Sequence, residues 1–196
     1  MKKRIIYLFS IICLLVLNCG AKKKEPTYAD VRYSEEYDRS KLDIWLAESD
    51  TPTPLVINFH GGGFRHGDKG SFQRNLILRD YLPKGISFAS VNYPFVEQVQ
   101  GNYLKILEHC AGSVEFLKKH ASKYNLDPDF FSIMGNSAGA LITCYLGHAK
   151  QLGIKSIFPI QQPKGTPLLI PFFREDGPSV MVYNRSNKND KIHHPD

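Results

Sequence analysis

The chain has 196 residues, 42% of them apolar and 22% charged, a balance that fits a folded domain and excludes wholesale disorder. Twelve Pro and fifteen Gly are too few for a fibrous chain, and four Cys too few for a disulfide-built scaffold. Much of the formal charge of +6 sits in Lys2-Lys3-Arg4 and Lys22-Lys23-Lys24, so the body is near neutral, has no basic stripe and does not read as a nucleic-acid binder.

Residues 1–18 read as a signal peptide. Lys2-Lys3-Arg4 precedes an apolar run from Ile5 to Leu17, short of the roughly 20 residues that a bilayer core demands. The ending Val16-Leu17-Asn18-Cys19 is similar to a bacterial lipobox. That likeness implies cleavage before Cys19, lipidation of its thiol, and a periplasmic or cell-envelope lipoprotein held on a membrane. Residues 19–30 then read as a polar tether, and 31–196 as the folded domain.

Leu42, Ile44 and Leu46 alternate with Asp43 and Trp45, which predicts a half-buried strand. Leu55 to Phe59 and Ile86 to Val91 are short apolar runs, as expected of strands covered on both faces. Leu104, Leu107, Ala111, Val114, Leu117 and Ala121 recur at steps of three and four, the apolar face of a long helix ending near Asn125. Asp127-Pro128 predicts a turn, Phe130 to Met134 a strand, and Ala138 to Leu146 a helix. Ile154 to Phe158 and Val180 to Tyr183 read as two more strands. Strands alternating with helices predict an α/β protein, with a largely parallel sheet flanked by helices.

Two motifs carry chemistry. Gly135-Asn136-Ser137-Ala138-Gly139 falls between a buried strand and a helix, where a sharp turn lifts a Ser hydroxyl above the sheet edge. The helix that starts there aims its N–H groups at developing negative charge. His60-Gly61-Gly62-Gly63-Phe64 follows another strand, and its glycines let backbone N–H groups turn toward a substrate oxygen.

With these motifs the chain resembles the α/β-hydrolase superfamily, and within it the esterases and lipases of the hormone-sensitive-lipase type. The resemblance runs from about Tyr33 to Pro195 and implies a serine hydrolase that cleaves a small-molecule carboxylic ester through an acyl-enzyme. It implies Ser137 as nucleophile and the N–H groups of Gly62, Gly63 and Ala138 as oxyanion hole. His60 in that motif shapes the loop and is not the base. Asn136 departs from the acidic residue often found before the Ser.

A serine needs a base oriented by a carboxylate, and the family order is Ser, acid, His. Asp190, after the Val180 to Tyr183 strand, is the expected acid. The base is expected beyond Asp196, with His193 and His194 as the candidates inside the chain. The domain therefore reads as lacking its last strand and helix. His109, His120 and His148 read as surface residues on helices, and His66 precedes the Ser. No cluster has metal-ligand spacing and no Gly-x-Gly-x-x-Gly is present, so neither metal nor nucleotide cofactor is expected. Cys110 and Cys144 read either as a pair or as two helix thiols. The rival functions are an amidase or peptidase on the same machinery, and a ligand-binding lipoprotein without a base.

Overall fold

A computed structural model describes residues 23–160, 168–174 and 177–183. Cys19, Asp190, His193 and His194 lie outside the described residues. Strands β1 (Tyr28–Arg32), β2 (Lys41–Trp45), β3 (Thr53–Phe59), β4 (Ser87–Val91), β5 (Leu126–Asn136) and β6 (Ser156–Ile160) form one sheet in the order β1-β2-β4-β3-β5-β6. β3 runs parallel to β4 and β5, and β5 parallel to β6. β2 joins antiparallel on β4, and β1 antiparallel on β2. Helices α1 (Leu76–Tyr81), α2 (Tyr103–Lys119) and α3 (Ala138–His148) supply the crossovers and cover the sheet.

The strand pleat divides the core in two. Ile44, Ile57, Ala89 and Ile133 point to one face, where they meet Ile106, Val114 and Leu117 of α2 and Ile142 of α3. Trp45, Phe88 and Met134, each adjacent in its strand to one of these, point to the other and meet Phe72, Leu78 and Leu82. Each fully buried large side chain contributes about 1.5–3 kcal/mol. At α2, Asn102 caps the N-terminus by accepting the Lys105 N–H, and Lys118 and Lys119 complement the dipole at the other end.

Four expectations change. β2 is not half-buried: Asp43 is as buried as its apolar neighbours, because Lys69 pairs with it and Trp45 packs on Phe72. Asp127-Pro128 does not turn the chain. The turn falls at Asn125 (φ 50°), and the Asp-Pro pair lies inside β5 where its register with β3 slips. There the missing Pro N–H costs no ladder bond. The described part of the expected tether is docked: Lys24 O accepts the Trp45 indole N–H, Tyr28 packs on Tyr124, and Tyr28–Arg32 is β1. Finally, Val180 to Tyr183 does not extend the parallel sheet. It belongs to β8 (Gly177–Tyr183), which pairs antiparallel with β7 (Leu168–Arg174) in a separate two-stranded sheet. Only two residues join β7 to β8, whereas a parallel crossover takes a dozen or more.

Candidate active site

The register pairs Phe59 with Gly135, so the C-terminal ends of β3 and β5 lie side by side. The loop after one strand therefore meets the turn after the other. Ser137 has φ 53° and ψ −117°, a backbone that an L residue rarely adopts and that costs about 1–3 kcal/mol. Close packing holds it there. A Cβ on Gly139 would overlap the Phe59 carbonyl, and one on Gly135 would overlap the Gly139 carbonyl. The helix can begin this close to β3 only with glycines at both places. Ser137 itself is exposed at the N-terminus of α3, and its hydroxyl makes no capping bond.

Opposite it, Gly62, Gly63 and Phe64 all have positive φ (118°, 59° and 61°), which folds the loop back on itself. Arg65 N–H and His66 N–H both donate to Gly62 O, at 3.0 and 3.1 Å. Gly61 N–H donates to Asn136 Oδ1 at 3.1 Å and ties the loop to the turn. Its space is so tight that a Cβ on Gly61 would stand 3.3 Å from Ser137 Cβ. Asn136 thus has a structural task, accepting an N–H. The N–H groups of Gly62, Gly63 and Ala138 meet no acceptor among the described residues. N–H groups without an acceptor, on the loop that packs against the Ser137 turn and at the start of the helix behind it, are the kind of donors that can take up an oxyanion.

His60 opens the loop and is buried. It stacks on Tyr93 at 4.3 Å, and Tyr93 OH donates to His60 O at 2.6 Å. Burial pushes its pKa down and the nearby Arg39 guanidinium adds to this, outweighing the Gly61 hydrogen bond and favouring the neutral ring. A proton on Nδ1 donates to Gly61 O at 2.7 Å and leaves Nε2 to accept from Arg39 Nη2 at 3.4 Å. Both ring nitrogens face loop and core, with neither turned to Ser137.

The other described histidines are placed as follows. His120 and His148 face carbonyls of their own chain, those of Phe116 and Cys144. His66 is exposed on the glycine loop. His109 is not a surface residue as expected: its side chain is only 8% exposed, between Tyr33 and Tyr37, with Nε2 2.7 Å from Ser40 Oγ. An apolar-face pattern could not show this, because β1 and its following loop cover that flank of α2. Cys110 is buried and Cys144 exposed, and both are free thiols. Among the described residues no group of three or more His, Cys, Asp or Glu could hold a metal.

Sequence reasoning missed the residues behind the loop, namely Lys69, Asp43, Asn92, Tyr93 and Arg39. The only signal was Asp43 standing in an apolar strand.

A family model described as BD-FAE matches residues 42–159, more than half of the chain. The chain belongs to the BD-FAE family, an α/β-hydrolase family of the hormone-sensitive-lipase type. The match holds both motifs, from β2 through the glycine loop and the Ser137 turn to β6. This BD-FAE chain is 32% identical over 108 residues to a probable isoprenylcysteine alpha-carbonyl methylesterase of Arabidopsis thaliana, covering 53% of this chain and 21% of the relative. Among solved structures, an arylesterase superposes with a TM-score of 0.56 at 20% identity, covering 75% of this chain and 50% of the other. A truncated carbohydrate esterase from gut microbiota gives 0.54 at 23% identity, covering 63% and 44%. These two likenesses establish the α/β-hydrolase fold. The chain spans about a fifth to a quarter of the length of the curated relatives it matches.

Proposed function

We propose that this BD-FAE protein hydrolyses a small-molecule carboxylic ester through an acyl-enzyme on Ser137. The observation that carries the reading is the strained, exposed Ser137 at the turn that Gly61 packs against, with the N–H groups of Gly62, Gly63 and Ala138 meeting no acceptor among the described residues. Ser137 Oγ attacks the carbonyl carbon as its proton passes to a base. The carbonyl oxygen takes the negative charge and accepts from the three N–H groups, each worth about 3 kcal/mol in the transition state. The alcohol leaves with the proton returned by the base, and water then releases the acid from Ser137 by the same steps in reverse roles. Chain order alone supports Asp190 as the orienting acid and His193 or His194 as the base, since the strand before them, β8, pairs with β7 outside the main sheet. The relatives named for ester cleavage support this reading over amide cleavage.

A fluorophosphonate probe tests it. Peptide mass spectrometry is expected to find the probe on Ser137, with turnover of a short-chain nitrophenyl ester in the same preparation. Probe on another residue, or on none, overturns the assignment.

The address is a separate proposal, supported by the Lys2-Lys3-Arg4 start, the apolar run and the Val16-Leu17-Asn18-Cys19 ending: Cys19 is lipidated and holds the protein on a membrane outside the cytoplasm. Cells fed a fatty-acid analogue are expected to label the parent and not Cys19→Ala. Equal label in both refutes it.

A further inference from the structure

Lys69 is a buried lysine six residues past Gly63, and nothing in ester chemistry requires it. Its Nζ lies 2.7 Å from Asp43 Oδ1 and 2.9 Å from Asp30 Oδ1. Asp43 is itself buried in β2 and also accepts the Asp30 N–H. Burial alone would lower the Lys69 pKa, but the two carboxylates outweigh it and hold the ammonium above its ordinary value. The Lys69 backbone is fixed as well: its N–H donates to Asn92 Oδ1 at 2.7 Å, while Asn92 Nδ2 donates to Asp68 Oδ2 at 2.8 Å. Asn92 directly follows β4, so the loop's far end is bolted to the two strands β2 and β4.

The near end is bolted too, by the His60 stack on Tyr93. Between the bolts, Arg39 Nη2 donates to Gly67 O at 2.9 Å, Val96 N–H donates to Phe64 O at 2.8 Å, and Arg65 pairs with Glu97. The glycines have no side chains to pack, and Gly62, Gly63, Phe64 and Gly67 all hold positive φ. Such a segment collapses or opens unless its ends are fixed, because glycine loses more conformational freedom on ordering than any other residue. A buried ion pair is a poor source of net stability, so one kept at the end of this loop fits a part in fixing geometry.

Resting on the reading of Gly62 and Gly63 as oxyanion donors, we infer that Lys69 is a positioning residue: clamped by Asp43, Asp30 and Asn92, it holds the C-terminal end of the glycine loop so that those two N–H groups stay aimed at the space beside Ser137.

The test uses the full chain and the double variant Asp43→Asn/Lys69→Met. It removes both buried charges together and leaves an oxygen at position 43 for the Asp30 N–H. Amide exchange is read by NMR at Arg65 and His66, whose N–H groups close the loop on Gly62 O. Those two amides are expected to exchange about ten-fold faster or more, with protection in β3, β5 and α2 unchanged. Ester turnover is expected to lose kcat by roughly 10²-fold at constant KM, the mark of a contact made only in the transition state. Lys69→Arg, which keeps both ion pairs, is expected to return exchange and kcat toward the parent. Asn92→Ser, which frees the Lys69 N–H, takes one hydrogen bond from exposed Asp68 and strands no buried charge, is expected to give the same loop-only signature and decides the matter if the double variant does not fold. Unchanged Arg65 and His66 exchange overturns the clamp, and so does a uniform rise across the sheet. A parent that neither cleaves esters nor takes the fluorophosphonate defeats the hydrolase reading, while the exchange data still decide the clamp.

Discussion

Ser40 and Ser137 stand in opposite situations. Ser40 Oγ lies 2.7 Å from His109 Nε2, and His109 Nδ1 lies 3.6 Å from Glu36 Oε2. By composition this is a Ser, a His and a carboxylate in sequence. Yet Ser40 is fully buried, its backbone is unstrained, and its hydroxyl serves to fix the start of β2 against α2. Ser137 has no histidine bonded to it among the described residues. It does have the exposure, the strained turn and three unpaired N–H groups nearby. The contrast separates two things that a list of residue types confuses. A base makes a hydroxyl a better nucleophile, but access and a preorganised place for negative charge decide whether attack leads anywhere. Residue types alone would not tell the two serines apart.

The largest effect follows directly. Ser137→Ala is expected to abolish ester turnover by several orders of magnitude with a melting temperature close to the parent's, since glycine packing and not the hydroxyl holds the turn. Ser40→Ala is expected to keep turnover within a few-fold and to lose about 1–3 kcal/mol of stability, by stranding buried His109. Steady-state kinetics and urea unfolding on both variants check the pair. Turnover lost at Ser40 and kept at Ser137 would invert the comparison.

Glycines on the two sides sharpen it next. Gly139→Ala places a methyl on the Phe59 carbonyl and is expected to cost about 3 kcal/mol or more, or to prevent folding. Gly112 lies inside α2 beside the His109 cluster, with open space where its Cβ would stand. Gly112→Ala is expected to stabilise by about 0.5–1 kcal/mol, the ordinary gain of replacing a helical glycine. Equal losses at both positions, measured by urea unfolding, would mean that the turn is less tightly packed than its contacts indicate.

What the sequence made legible was local. Apolar runs and three-four spacing gave β3, β4, β5, α2 and α3, and two glycine motifs brought Gly62, Gly63, Ala138 and Ser137 to neighbouring strand ends. What it hid depends on partners far away in the chain. Asp43 looks like the polar side of a half-buried strand until Lys69, 26 residues on, is seen to neutralise it. His109 looks exposed on α2 until Tyr33, Tyr37 and Ser40 close over it. Val180 to Tyr183 reads as one more parallel strand until Leu168–Arg174, with Asp176-Gly177 between, is seen to pair with it. The acid and base positions, Asp190, His193 and His194, fall outside the described residues.

The smallest effect concerns acid. Burial holds the His109 pKa below its ordinary value, and Glu36 only partly offsets this. A ring whose pKa is lowered by folding favours the neutral form in the folded state, so the unfolded chain binds the proton first as pH falls. Its contribution to stability is therefore complete above the unfolded value of about 6.5 and is lost as pH falls through the folded value. His60 is shifted the same way by burial and adds a second loss of the same sign. Replacing His109 by Gln removes one of the two titrations and keeps a polar side chain facing Ser40. Urea unfolding between pH 7.5 and 5, a range chosen to bracket about 6.5, is expected to show stability falling with acid in the parent and falling less steeply in His109→Gln. Turnover at pH 7.5 is expected to match the parent's, because His109 faces Ser40 and not Ser137. An unchanged acid slope would show that His109 does not carry its share. A large loss of turnover would bring the Ser40 cluster back as a catalytic site, and the comparison of the two serines would have to be redrawn.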